Sequence, residues 1–432
     1  MNRVFVALIL IAFGFAAWGQ LSVDLLGQTL AEGEMGPMAA ATDGAMKAAK
    51  GAVYLSLDLV GYMALFLGLM KVGEAAGLLR IIARLVRPVM VRLFPEVPPE
   101  HPAMGAMILN MSANALGLGN AATPFGIRAM QELNKLNPHP GTATNAMVLF
   151  LAITTSAVTL LPTGVIGVRA AMSSQDPAGI LGTTLFATVC STTVALIMAK
   201  ALARFSPVPP PPEGWQPTTD DLSDEDTSLA DHGAYPLWVS AAALAALLGW
   251  IYLALFYGSA IAPWVIPAII AGLVCFGWVR DVAVYEVFVQ GAKEGFEVGV
   301  RIIPYLVAIL AAVGMLRGAG AIDTFVGWVG PLTTQAGMPA EALPMALIRP
   351  LSGSGAFGVM MSLLETHGPD SYLGYLVSTL NGSTETTFYV LAVYFGAVQV
   401  QRTRHAIPAA LSADVAGIVA SVVAVQIYYS LL

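Results

Sequence analysis

The sequence predicts an all-α polytopic membrane protein made of inverted repeats with two re-entrant helical hairpins and broken helices. Three observations predict it. Of 432 residues, 57% are hydrophobic and only 11% charged, against about 25% charged in soluble domains. Several apolar runs are long enough to cross a hydrocarbon core of about 30 Å. A series of glycine- and proline-marked motifs recurs in the same order in both halves of the chain.

The composition also excludes. Net charge is −7 and no basic tract is present, so nucleic acid is not an expected partner. The two cysteines, Cys190 and Cys275, both lie in apolar runs, which rules out a disulfide framework and a paired-cysteine metal site. There is no H-E-x-x-H, no G-x-S-x-G and no P-loop. His101, His139, His232, His367 and His405 show no ligand spacing on a helix. The expectation is therefore no enzyme, no metal site and no bound cofactor. The lipid bilayer and a small solute are the expected partners.

Nine spans are expected in chain order, at about 3–19, 50–72, 142–168, 178–201, 235–257, 259–279, 299–317, 371–399 and 406–430. The first carries Arg3 ahead of an apolar stretch but no clear cleavage site, and reads as a retained span rather than a signal peptide. Residues 206–234 hold Pro207, Pro209, Pro210, Pro211 and Pro212 and then Asp220, Asp221, Asp224, Glu225 and Asp226. Such a stretch cannot build a core and reads as a flexible linker between two halves, 1–205 and 235–432. Arg80, Arg84, Arg87 and Arg92, then Lys200, Arg204, Arg280, Arg402 and Arg404, follow alternate spans. The bias of basic residues towards the cytoplasm places them all inside if the N-terminus is cytoplasmic, in a bacterial inner membrane. Arg317 and Arg169 are the exceptions. Arg80, Arg84 and Arg87 fall on one helical face among leucines and isoleucines, which predicts an amphipathic helix in the interface.

The repeat shows as Ala76-Gly77 with Pro88 beside Ala319-Gly320 with Pro331. Gly68-Leu69-Met70-Lys71 matches Gly314-Met315-Leu316-Arg317, and Gly44-Ala45 matches Gly291-Ala292. Further on, Ala115-Leu116-Gly117 is paired with Ala356-Phe357-Gly358. The stretch Gly119–Phe125 is paired with Gly382–Phe388. Five spans separate the polar motifs, so the second copy is expected upside down, the plan of many secondary transporters.

Segments 102–126 and 343–364 are too polar and glycine-rich to face lipid, so they are expected to fold as hairpins lining a wet cavity. Asn110, Asn114, Asn120 and Thr123 from the first hairpin are expected to face Arg349, Ser352 and Ser354 from the second. Asn381, Ser383, Glu385 and Thr386 from the eighth span complete the proposed substrate or ion site. An intramembrane carboxylate is costly and therefore marks function; the competing reading of Glu385 is a structural ion pair with Arg349. Asp58 and Asp414 are secondary candidates.

These motifs resemble those of the bacterial spore maturation proteins. The first half is similar to the A type through Asn110-Met111-Ser112-Ala113-Asn114 and Gly117–Gly126. The second half is similar to the B type through Tyr285–Phe288, Gly291–Phe296, Arg349–Gly355 and Gly382–Tyr389. The resemblance implies a fused protein with nucleoside recognition, or gate, domains, distantly similar to concentrative nucleoside transporters. It implies a homotrimer, a nucleoside-like solute and a coupling ion, with Na+ and H+ both left open. The rival expectation is a non-transporting assembly or spore-maturation factor.

Overall fold

The computed structural model describes residues 2–26, 35–117, 119–207, 235–256 and 258–431. The linker therefore lies almost wholly outside the described residues. The chain is all-α, as the sequence predicts; beyond helices, the described residues hold one isolated bridge, Thr142 with Arg402.

Among the described helices, three stand outside the repeat: α1 (Asn2–Leu26), α9 (Leu237–Phe256) and α10 (Gly258–Val279). The other fourteen form two sets of seven in matching order. The first set is α2 (Pro37–Ala75), α3 (Leu78–Leu93), α4 (Pro102–Ala115), α5 (Gly119–Lys135), α6 (Asn145–Thr155), α7 (Thr163–Ala171) and α8 (Ile180–Ala203). The second is α11 (Val284–Gly318), α12 (Ala321–Thr333), α13 (Leu343–Ile348), α14 (Gly353–His367), α15 (Tyr372–Ser383), α16 (Thr387–Ala397) and α17 (Ala406–Leu431). Each set thus has a long helix, a shorter one after a sharp turn, a hairpin, a broken helix and a closing span. Among the described residues, segments within α1, α8 and α17 are long and apolar enough to cross a membrane singly. The α11–α12 pair is bent by 78° at its junction.

The sharp turns come from the matched Ala-Gly pairs. Gly77 (φ 89°) and Gly320 (φ 71°) take the left-handed conformation. Ala76 N–H closes back on Val72 O and Ala319 N–H on Met315 O, both at 2.9 Å. A side chain would strain either glycine. The helix after the first turn is amphipathic as expected, with Arg80 and Arg84 exposed and Ala83 and Met90 buried.

The long helices α2 and α11 run antiparallel in backbone contact. A Cβ on Gly44 would come within 3.0 Å of Gly314 O, and one on Gly314 within 3.0 Å of Gly44 O. One on Gly291 would meet Leu67 O at 2.7 Å and Gly68 Cα at 3.0 Å. Because Gly44 corresponds to Gly291 and Gly68 to Gly314, the two contacts are symmetry mates. The repeat is inverted, and its glycines hold the axis. Small residues let backbones approach this closely where no hydrophobic effect drives helices together.

The broken helices that the sequence predicts are the stretches 142–168 and 371–399. Each is broken, at 156–162 and at Thr384–Thr386, where polar residues and Pro162 interrupt an otherwise apolar stretch. Two of the sequence pairings need correction. Gly117 sits at the first hairpin tip, whereas Gly358 lies inside α14. Gly119–Phe125 opens α5, whereas Gly382–Phe388 spans the second break. Hairpin corresponds to hairpin and break to break. Shared small and hydroxylic residues had aligned stretches whose common trait is a demand for polar surroundings.

The core is double. One buried cluster joins hairpin α4–α5 with α3, α6 and α16, around Met104, Met107, Met130, Phe150 and Phe395. The other joins hairpin α13–α14 with α11, α15 and α7, around Leu310, Met345, Met360, Leu376 and Ile166. Each hairpin therefore packs on one half of each broken helix, and the breaks fall where the two cores meet.

Candidate functional site

At that junction four chain interruptions converge. Glu385 N–H donates to Thr155 O at 2.9 Å, pinning one break against the other. Leu160 N–H donates to Ala115 O at 2.8 Å, and Phe388 N–H to Pro350 O at 3.0 Å. Each bond ties a broken helix to the tip of the hairpin in its own repeat. Unwound backbone is satisfied by unwound backbone, as a membrane interior requires.

Two adjoining hollows flank the crossing. One, of about 400 Å³, is lined by Met63, Asn114, Gly117, Thr159, Pro162, Thr163, Gly164, Leu306, Arg349, Phe357, Asn381, Glu385 and Thr386, among others. The other, of about 420 Å³, is lined by Asn114, Thr123, Thr154, Ser352, Ser354, Glu385, Thr386, Tyr389 and Tyr394, among others. Asn114, Gly353, Ser354, Glu385 and Thr386 belong to both. Helix N-termini of α7, α14 and α16 open onto this space together with the C-termini of α4 and α15. The walls thus present amide dipoles and carbonyl dipoles at once. Ser352 caps α14 by accepting from Gly355 N–H at 2.9 Å, whereas Thr386 and Pro162 make no side-chain cap.

Of the residues expected at the site, Asn114, Thr123, Arg349, Ser352, Ser354, Asn381, Glu385 and Thr386 line the two hollows. Asn110 does not. It is fully buried, donates to Ala122 O at 2.7 Å and shares a 2.9 Å bond with the Tyr394 hydroxyl. It also accepts from Thr154 Oγ1 at 3.2 Å. It stitches hairpin α4–α5 to α6 and α16. Ser383 is also buried away from the hollows, bonded to Leu380 O at 3.0 Å and to Ser421 at 3.3 Å. The side chains of Asn120 and Asp58 lie outside the described residues.

Arg349 does not pair with Glu385: among the described residues no ion pair joins them within 4.0 Å. One guanidinium nitrogen donates instead to Asn381 O at 2.9 Å and to Thr384 O. A cation thus caps the C-terminus of α15, where four carbonyls lack intrahelical partners. The Glu385 side chain, half-buried between the hollows, has no hydrogen-bond partner among the described residues. The wall contributed by the first broken helix, Thr154, Thr159, Thr163 and Gly164, was not foreseen. The run Thr154-Thr155-Ser156 followed by Pro162-Thr163-Gly164 inside an apolar stretch is the signal that could have found it.

The nucleoside recognition (Gate) family matches residues 56–172 and 299–400. The chain belongs to the Gate family. The two Gate segments open inside α2 and α11 and close just after α7 and α16, so family segment and structural repeat are largely the same unit, present twice. Spore maturation protein B of Bacillus subtilis (strain 168) is 46% identical over 164 residues, covering 38% of this chain and 92% of that protein. Spore maturation protein A of the same organism is 48% identical over 152 residues, covering 35% of this chain and 78% of that protein. Each accounts for part of the chain, consistent with a fusion.

Proposed function

We propose that this protein is an inner-membrane secondary transporter for a small polar or nucleoside-like solute, held at the crossing of the two Gate repeats. One observation carries the reading: two adjoining hollows of about 400 and 420 Å³ lie where both helices break, and an unpaired carboxylate, Glu385, lines both. Solute hydroxyls and amines would be met by Glu385, Asn114, Asn381 and the free amides of α14 and α16. Alternating access would move each hairpin with its broken helix against the long α2–α11 pair. The distribution of basic residues supports a cytoplasmic N-terminus. The two basic residues that break that pattern are both tied down: Arg169 is fully buried, and Arg317 donates to Thr366 at 2.8 Å and Ser362 at 3.2 Å. A homotrimer and a coupling ion belong to this reading through the family resemblance, and no catalytic role is proposed.

The names of the two Bacillus subtilis relatives favour a second reading, a spore-maturation-type assembly factor that moves no solute. Uptake of tritiated uridine, adenosine and smaller polar solutes into liposomes carrying the purified protein separates them. Accumulation above empty liposomes that falls with Glu385→Gln supports transport. Absence of uptake across the panel overturns it in favour of assembly.

A further inference from the structure

Asp414 stands behind the site, on α17, and none of the contacts described so far uses it. It is 3% exposed. Its Oδ2 accepts from Thr387 Oγ1 at 2.7 Å, and its Oδ1 has no partner. Thr387 is the first residue of α16, directly after Glu385 and Thr386, which line the hollows. The residue before it, Thr386, gives α16 no side-chain cap, and the Asp414 carboxylate reaches that helix start through Thr387.

Few other charges reach Asp414. Arg349 is the one charged group acting on it across the second break. The helices packed around α17 are α6, α8, α9, α15 and α16. They carry one charged residue, Lys200, which is exposed at the last turn of α8. Their other titratable groups are Cys190, Tyr252, Tyr372, Tyr375, Tyr389 and Tyr394. A carboxylate with one hydrogen bond and no ion pair is costly to bury, and a neutral acid of the same shape is not. The start of α16 pulls the other way, because a helix N-terminus favours a negative group beside it. Charge on Asp414 and the position of α16 are therefore linked.

We propose that Asp414 is a proton-binding site whose loading is coupled to the position of α16, and that this proton is the coupling ion. The inference rests on the transport reading and adds to it the identity of the ion. The step is simple and balanced: Asp414 Oδ1 takes H+ from water, forms an O–H bond and becomes neutral. The attraction between its carboxylate and the start of α16 is then lost, which frees the wall that carries Glu385 and Thr386.

The test uses the full chain in lipid nanodiscs. Infrared difference spectra across about pH 5–9 are compared for the parent and Asp414→Asn. The expected result is the carbonyl stretch of a neutral carboxylic acid that titrates in the parent and is missing in the variant; identical spectra overturn the proposal. A second measurement follows alkylation of a cysteine placed at Thr386, with Cys190 and Cys275 replaced by serine. Its rate relative to the same cysteine in the Asp414→Asn background should change at least about twofold with pH, and a constant ratio overturns the coupling. If Asp414→Asn fails to fold, Thr387→Val keeps the acid and removes its partner. The midpoint of the acid band should then move by about one pH unit or more, and an unmoved midpoint overturns the proposal. Neither arm uses uptake. A missing acid band removes the proton while transport stands, and absent uptake removes transport while the proton site stands.

Discussion

At the scale of single residues, Glu385 and Arg349 do different work. Arg349 is spent on the carbonyls that end α15 and makes no ion pair with Glu385. Glu385→Gln should therefore leave the melting temperature in detergent unchanged. It should lower solute binding or uptake at least ~10-fold, equivalent to about 1.4 kcal/mol. A large stability loss that a neutral residue at 349 rescues would restore the ion-pair reading. Arg349→Gln should have the opposite profile. It removes charge-assisted bonds to two buried carbonyls, each worth about 1.5–3 kcal/mol, and should lower the melting temperature whether or not solute is present.

At the scale of elements, the α2–α11 contact and the loop latches are the critical joints. Gly44→Ala or Gly314→Ala drives a methyl into the facing backbone oxygen, and overpacking of this kind costs about 1–3 kcal/mol. Gly61, on the same helix, has open space around it, so Gly61→Ala should stabilise by about 0.5–1 kcal/mol. Thermal unfolding of the three variants checks both signs. On one face the loop after α7 is tied to the connector before α15. There Arg169 donates to Pro369 O at 2.5 Å, Asp176 O at 3.0 Å and Asp370 Oδ1 at 3.1 Å, and it lies 4.1 Å from the centre of the Tyr375 ring. On the other face Ala143 N–H donates to Arg402 O at 3.0 Å, and Gln401 N–H to Gly141 O at 2.9 Å. Asp176, in the first latch, accepts from the hydroxyls of Tyr375 at 3.2 Å and Tyr428 at 3.4 Å. Burial pushes its carboxyl above the usual range, against the lowering effect of those hydroxyls and Arg169. A folded-state value above the unfolded one means that the folded protein holds the proton longer. The contribution of Asp176 to stability is therefore full below about pH 4 and is lost as pH rises through the folded value. Asp176→Asn should flatten that part of the melting-temperature profile, and an unchanged profile would exclude Asp176 as its source.

At the scale of the whole molecule, inversion is the property to test. Cysteines placed at Asp221 and Gln335, in a background lacking Cys190 and Cys275, should label from opposite faces of the membrane, Asp221 from the cytoplasm. Labelling of both from one face would contradict inverted Gate repeats in a single bilayer. Removal of Asp220–His232 should leave insertion and monodispersity intact, because a proline-rich acidic stretch without apolar periodicity contributes no core. Degradation of the shortened chain would give that stretch a structural role.

What was legible in advance follows from local chemistry. Too little charge for a wet surface, apolar runs of membrane length and hairpins too polar for lipid are properties of short stretches, and so are the Ala-Gly turns. They were enough for the all-α membrane class and for the hairpins, and they pointed to a doubled chain. Correspondence between the halves was a different matter. Glycine and threonine recur at hairpin tips and at helix breaks alike, so matching letters paired Gly119–Phe125 with the wrong partner. Only tertiary contacts show which interruption faces which. The same holds for roles within the site. Asn110 and Asn114 stand one turn apart on α4, yet one is consumed by Ala122 and Tyr394 and the other faces the hollow. Which side chain a neighbouring helix consumes is decided by packing between segments hundreds of residues apart, as with Asn110 and Tyr394, and no local pattern carries that information.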